Sequence, residues 1–516
     1  MIDSSDNLYT RFDRLIADPA RRFASLPDGT QYSYGELRAA SARIANALLD
    51  LGVQPGDRVV VQVEKSVEAI FLYLACLRVA AVYVPLNTAY TLAELEYFIA
   101  DAQPRALVCT GARLAELLPL ARRLEVEHVV TLEATPPGGS LRERAATRPD
   151  SCFDVACEAE APAAILYTSG TTGRSKGAVL SHGNLAANAF ALKACWRFTG
   201  QDVLLHALPL FHIHGLFVAL NVTLAANASL ILLPGFDAAA VYAGLERATV
   251  YMGVPTHYLR LLRDPRFDRP ATSGMRLFVS GSAPLLPETH RAWAERTGHT
   301  ILERYGMTET GILTSNPYGG ERVAGTVGQP LPGVRLRLVD TETGAAVPRG
   351  EPGMIEVAGP NVFAGYWRRP DKTRAEFRSD GFFVTGDIGR IDERGYLQIV
   401  GRGRDLIITG GYNVYPREVE SELDALPGVD ESAVIGLPHA DFGEGVTAIV
   451  VAADPPLQPP LTEEAVMTQL KARLAGYKCP KRVLFLTELP RNAMGKVQKN
   501  LLRERFQDLY AARGAS

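Results

Sequence analysis

ILYTSGTTGRSKGA, residues 165–178, combines an apolar lead-in with a dense run of small, hydroxyl-bearing and cationic side chains. Residues 163–166 are all apolar and have the composition of a buried strand. Four hydroxyl residues (Thr168, Ser169, Thr171, Thr172), three glycines (Gly170, Gly173, Gly177) and two cations (Arg174, Lys176) follow at once. Glycines let backbone N–H groups turn toward an anion, hydroxyls add donors, and cations balance its charge. The segment is therefore equipped to hold a polyphosphate. It is not a GxxxxGK[ST] loop, because Ser175 stands where the second glycine would be and Gly177 follows Lys176. A flexible linker has a similar composition, so the flanking chain has to decide.

Upstream, helical and strand-like patterns alternate. Residues 33–51 carry apolar residues at helical spacing, with Ser33 as N-cap and Glu36 three positions on, a capping box. Short β-branched runs at 58–63, 82–86 and 106–109 alternate with helical stretches at 68–79 and 92–101. Such alternation predicts βαβ units and a parallel, covered sheet. Residues 133–162, rich in Pro, Gly and acids, read as a surface connection.

Downstream, LPLFHIHGL at 208–216 places His212 and His214 two apart, on one face of an extended segment. No third ligand is evident, so a pocket wall is expected rather than zinc. A strand at 248–253 leads into PTHYLRLL, with Thr256 as expected N-cap and Arg260 and Arg263 at i,i+3; by pattern alone the arginines suit a solvated face. In SGSAPL, Ser280 precedes Gly281, Ser282 and Ala283, residues small enough for a flat ligand to approach the backbone. In ILERYGMTETG, Glu309 among hydroxyls is a candidate ligand for a hard cation such as magnesium. From residue 320, turn residues recur every eight to twelve positions, the texture of a small β-rich subdomain. It ends in TGD, with Asp387 placed for the oxygens of a ribose, and Arg402 and Arg404 bracketing a glycine. The last hundred or so residues read as an α+β domain large enough to fold alone, with Lys496 after Gly495 on an exposed turn.

The chain has 516 residues, 47% of them hydrophobic, enough for two to four domains. A net charge of -3 gives no electrostatic case for nucleic acid or an anionic membrane. The N-terminal MIDSSDNLYTRFDRL lacks the apolar core of a signal peptide and carries acids a mitochondrial presequence would avoid. Residues 216–236, the most apolar long stretch, are interrupted by Asn221, Thr223, Asn227 and Ser229 and fail as a membrane span. Six scattered cysteines without a CxxC pair suit a reducing compartment. A cytoplasmic protein is expected.

Together, YTSGTTGRSKG, YGMTET, TGD, GRGRDLI and NAMGK, in that order, resemble the acyl-adenylate-forming superfamily of acyl-CoA synthetases, luciferases and peptide-synthetase adenylation domains. The resemblance covers nearly the whole chain. It implies an α/β fold: a large N-terminal domain, residues 1–402, of two αβ-layered subdomains plus a small β-rich one, then a small mobile α+β domain, residues 403–516, hinged near Arg404. It also implies ATP, Mg2+ and coenzyme A. Thr168, Ser169, Gly170, Thr171, Thr172, Gly173 and Lys176 would hold the phosphates, and Glu309 with Thr168 the magnesium. Gly281, Ser282 and Ala283, with Glu303, Arg304, Tyr305, Gly306, Met307 and Thr308, would surround the adenine; Arg304 and Tyr305 would help to sandwich it. Asp387 with Arg402 would hold the ribose, Lys496 would catalyse adenylation, and Gly411 would serve the CoA step. LHALPLFHIHGL, MGVPTHYLRLL, RLFVSGSAPL and LPRNAMGKVQKN are most similar to malonyl-CoA synthetases. That similarity implies a clamp for a distal carboxylate at Arg260, with Ser280 and His212 on the pocket wall and His212 also among the catalytic residues. The resemblance leaves open another short-chain, medium-chain or aryl acid, or a free-standing adenylation domain loading a carrier protein. Oligomeric state is expected to be monomer or weak homo-oligomer.

Overall fold

Strands that are apolar on both faces need helices on both sides, and the first third of the chain supplies both. The computed structural model describes the chain except residues 1–5, 136–137, 169–174, 410–411, 440, 455–459, 475, 493–494 and 512–516. Arg58–Gln62, Val82–Pro85, Ala106–Cys109 and His128–Thr131 pair in parallel, joined by the helices Val67–Arg78, Leu92–Ala102 and Gly111–Arg123. Pro162–Thr168 adds to the far side of Val82–Pro85 and returns as an antiparallel partner, Lys176–Ser181. Gly365–Tyr366 closes that edge, giving seven strands. The helix Tyr34–Asp50 starts on the expected capping box: Ser33 Oγ accepts the Glu36 N–H, and the Glu36 carboxylate accepts the Ser33 N–H at 2.6 Å.

A second sheet of nine strands has a parallel centre of Val203–His206, Ser229–Leu232, Val250–Gly253, Leu277–Ser280 and Leu302–Met307. Parallel pairing brings their carboxyl ends to one edge, where open α/β sheets bind ligands. The expected β-rich subdomain is a four-stranded antiparallel sheet of Arg335–Val339, Gly353–Ala358, Phe383–Ile391 and Leu397–Arg402. A turn of 3-10 helix, Gly403–Asp405, leads to the small domain. There five strands carry the helices Pro416–Asp424, Glu463–Lys471 and Lys499–Phe506. Its two apolar clusters share no side chain with the three clusters of the large domain.

Three local expectations are corrected. Residues 133–162 are not merely a surface connection: Gly139–Ala146 is a helix with Leu141 and Ala145 buried, tied to the neighbouring strand by a Ser140 N–H donating to Thr131 Oγ1 at 2.9 Å. His212 and His214 do not lie on an extended segment, because His214 opens a buried π-helix, His214–Leu220. Thr256 is not an N-cap: Val254 occupies that position and Pro255 starts the helix, since its fixed φ and missing N–H suit the first turn.

Candidate active site

The site is assembled at the carboxyl ends of the second sheet. After Val203–His206 the chain doubles back, and the His206 ring meets the Gly215 carbonyl at 2.9 Å through Nε2. Only glycine fits at 215, where a Cβ would stand 2.0 Å from the Pro209 oxygen. This fold-back replaces the pleat in bringing the two histidines together: the His214 N–H donates to His212 Nδ1 at 3.3 Å. Ser282, held at a φ of +72°, sets its Oγ 3.2 Å from His214 Nδ1. Backbone strain at a non-glycine residue persists only where its surroundings enforce it. Burial pushes His212 down to about 4 and His214 well below the usual imidazole range, and the Arg304 charge adds to both shifts. Both rings are neutral at neutral pH.

Alternation along Leu302–Met307 sends Arg304 and Tyr305 to opposite faces, so they do not flank one ligand as the expected sandwich requires. Tyr305 donates its O–H to Asp387 Oδ2 at 2.6 Å, and Arg402 pairs with Asp387 Oδ1 at 3.1 Å. Arg304 faces the histidines and is 5% exposed. Gly281 makes room for it: a Cβ there would lie 2.4 Å from the guanidinium carbon. Among the described residues Arg304 has no carboxylate partner, and its Nε and Nη2 are buried without an acceptor. Burial alone brings it down to about 9. Ser280 Oγ, one residue from Gly281, and His214 Nε2 are also buried without a partner. Buried polar groups are as a rule paired, so these groups are suited to meet an anion. On the Tyr305 face, Glu303 is buried and accepts the Gly325 N–H at 3.4 Å; burial raises its carboxyl to about 8.

At the end of the hairpin expected to hold a polyphosphate, Thr168 and Lys176 oppose each other. Ser169, Gly170, Thr171, Thr172 and Gly173 lie outside the described residues, as does Gly411. Glu309 is 5% exposed, not a surface turn, and its Oε1 is 3.0 Å from the Tyr366 hydroxyl. Tyr366 donates its one hydroxyl proton to Glu376 Oε2 at 2.6 Å, while Glu376 Oε1 pairs with Lys176 at 2.6 Å. A buried carboxylate among hydroxyls suits an oxygen-preferring cation that draws its other ligands from phosphates. No group of three or more His, Cys, Asp or Glu suited to a metal occurs among the described residues. Nothing in the sequence around Tyr366 and Glu376 marks either residue.

Lys496 arrives from the small domain. Its turn is closed by Asn492, whose N–H donates to the Lys496 carbonyl at 2.9 Å and whose Oδ1 accepts the Lys496 N–H at 3.0 Å. Gly495 packs so tightly on Thr256 that a Cβ would be 3.2 Å from its hydroxyl. Docked there, Lys496 is close enough for its charge to help depress His212. Arg260, one helical turn beyond Thr256, is exposed, with its guanidinium 6.0 Å from the Phe236 ring centre. Phe236 stacks on His257, and both line a cavity of about 280 Å³ that also takes in Lys65, Leu86 and Phe211.

The chain belongs to the family of AMP-binding enzymes. Residues 12–367 match the AMP-binding enzyme family and residues 418–496 the AMP-binding enzyme C-terminal domain. The chain is 35% identical to the malonate–CoA ligase of Arabidopsis thaliana over 536 residues, covering 94% of this chain and 86% of the relative. It is 37% identical over 485 residues to a feruloyl-CoA synthase of Amycolatopsis, covering 93% and 94%. MatB from Rhodopseudomonas palustris is 56% identical, with 98% and 100% covered; its ATP-bound crystal structure matches with a TM-score of 0.95 and its apo structure with 0.84. With the same sequence match in both, this chain superposes better on the ATP-bound structure than on the apo one. No helix among the described residues is long and apolar enough to cross a membrane.

Proposed function

We propose that the chain ligates malonate to coenzyme A using ATP, releasing malonyl-CoA, AMP and pyrophosphate. One malonate carboxylate attacks the α-phosphorus of ATP and expels pyrophosphate; the CoA thiol then attacks the acyl carbonyl and AMP leaves. The observation that carries the choice of acid is Arg304, buried beside His212, His214 and Ser280 with two unpaired guanidinium nitrogens. A simple fatty acid would leave this charge desolvated and alone, whereas a second carboxylate answers it with charge-assisted hydrogen bonds. The distal carboxylate is assigned to Arg304, Ser280 and His214, with Arg260 closing over it from the rim and His212 forming the wall. Relatives named malonate–CoA ligase support the same acid.

Catalysis of the first step is mainly positioning and charge compensation. Lys496 meets the reacting carboxylate and the α-phosphate. Residues 168–173 and Lys176 hold the β- and γ-phosphates. Gly281, Ser282 and Ala283 cover one face of the adenine and Tyr305 the other, with Glu303, Gly306, Met307 and Thr308 along its edge; Asp387 and Arg402 take the ribose. Glu309 and Thr168 would hold magnesium, which supplies charge neutralisation at the departing phosphates. Residues 403–516 then rotate about Arg404, withdrawing Lys496 and bringing the segment around Gly411 to the thiol, whose arm the cavity below Phe236 accommodates. The protein is assigned to the cytoplasm as a monomer or weak homo-oligomer; six scattered cysteines without a CxxC pair support a reducing compartment. Pyrophosphate release with malonate, methylmalonate, succinate, acetate and octanoate, with and without CoA, tests the reading. Malonate should lead, methylmalonate follow within about tenfold, and acetate fall about a hundredfold or more behind; a preference for octanoate or acetate refutes it.

A further inference from the structure

Lys176, expected at the phosphates, has a committed partner in the protein. Its Nζ lies 2.6 Å from Glu376 Oε1 and 4.0 Å from the centre of the Tyr366 ring. Glu376 ends the helix Pro370–Glu376, two hundred residues along the chain from Lys176. Its other oxygen accepts the Tyr366 hydroxyl, and Tyr366 is itself fixed by pairing with Ala178 and by its N–H donating to Thr373 Oγ1 at 2.9 Å. The hairpin, the edge strand and this helix are thus drawn together beside Lys176, the residue proposed above to meet the phosphates. The Lys176 and Glu376 side chains are 18% and 32% exposed, so solvent screens the pair only in part. No other cation pairs with Glu376 among the described residues.

We infer that Glu376 is a positioning residue for product release: it competes with the polyphosphate for Lys176 and takes the ammonium back once the adenylate has formed. The inference rests on the adenylation reading above. A lysine whose only partner was the leaving group would have to be stripped of a multiply charged anion and left desolvated. A fixed carboxylate within contact distance gives it somewhere to go, and pyrophosphate departs faster. Lys176 thereby becomes a shared ligand rather than a permanent one.

Glu376→Gln keeps the shape and the hydrogen bond from Tyr366 and removes the charge. Pyrophosphate should then inhibit about tenfold more tightly and steady-state turnover should fall, while adenylate formation in a single turnover is not slowed. Glu376→Asp should restore most of the parent inhibition constant. In a Lys176→Gln background, Glu376→Gln should have no further effect on inhibition, because the competition needs both charges. Unchanged or weaker pyrophosphate inhibition in Glu376→Gln overturns the inference, and so does the same tightening without Lys176. If the parent chain formed no pyrophosphate from ATP and malonate, the adenylation reading would be at fault instead.

Discussion

Replacing Arg304 with methionine should have two effects of opposite sign. In the ligand-free chain the guanidinium is carried without a counter-charge, and its fall from 12.5 to about 9 comes first from burial. At about 1.4 kcal/mol for each pH unit, keeping it charged costs roughly 5 kcal/mol of folding free energy. Methionine fills similar space against Gly281 with no charge to desolvate, so Arg304→Met should resist urea better than the parent; a third of that figure would be easily measured. The malonate reaction should collapse. A distal carboxylate left buried and unpaired costs about 3–5 kcal/mol, or a hundredfold to several-thousandfold in kcat/KM. The assay is pyrophosphate release with malonate and with propionate as a monocarboxylate control, alongside urea unfolding of the same preparations. Malonate kcat/KM within fivefold of the parent would refute the receptor, as would an equal loss with both acids. A destabilised but selective variant would show that the desolvation argument is wrong.

Lys496→Ala should abolish adenylation yet still make thioester from supplied malonyl-adenylate; equal loss of both half-reactions in single-turnover assays would remove the lysine from its role. Arg260→Ala should lower malonate kcat/KM by about tenfold or more, less than the buried Arg304, and a change of under threefold would make Arg260 a surface residue only. Acid should destabilise the fold through its buried histidines. His182 accepts the Leu8 N–H at 3.0 Å, and burial lowers it to about 4. Between its ordinary 6.5 and about 4 the unfolded chain holds a proton that the folded chain does not, so stability falls as pH falls through that window. His206, His212 and His257 share this sign, while Glu303, raised to about 8, works the other way between about 4.5 and 8. Urea midpoints should therefore drop between pH 7 and pH 5, and His182→Gln should shallow that decline by about one proton.

Much of this was legible because local chemistry and tertiary need agree. Ser33 and Glu36 announce a helix start that the structure uses, and the β-branched run at Arg58–Gln62 can only be a covered strand. The His214–Leu220 helix was not legible, since a run that is apolar on every side has no period to separate helix from strand. Arg304 was visible as a motif residue, but its direction depends on where the strand begins, and one residue of register decides which face it serves. The amphipathic pattern around Arg260 reads only as a solvated face, and the resemblance to malonyl-CoA synthetases alone marks it. Glu376 left no signal: its meaning comes from a contact with Lys176 that only the folded hairpin creates.

The separateness of the two domains' apolar clusters has a consequence for how such enzymes diversify. The residues proposed to read the acid, Arg260, Ser280, Arg304, His212 and His214, all belong to the large domain, whereas Lys496 belongs to a small domain whose interior is its own. Selection on diet and selection on turnover therefore act on different pieces of the gene. A small domain exchanged at the Gly403–Asp405 joint would carry its chemistry with it and leave the recipient's taste in substrates unchanged.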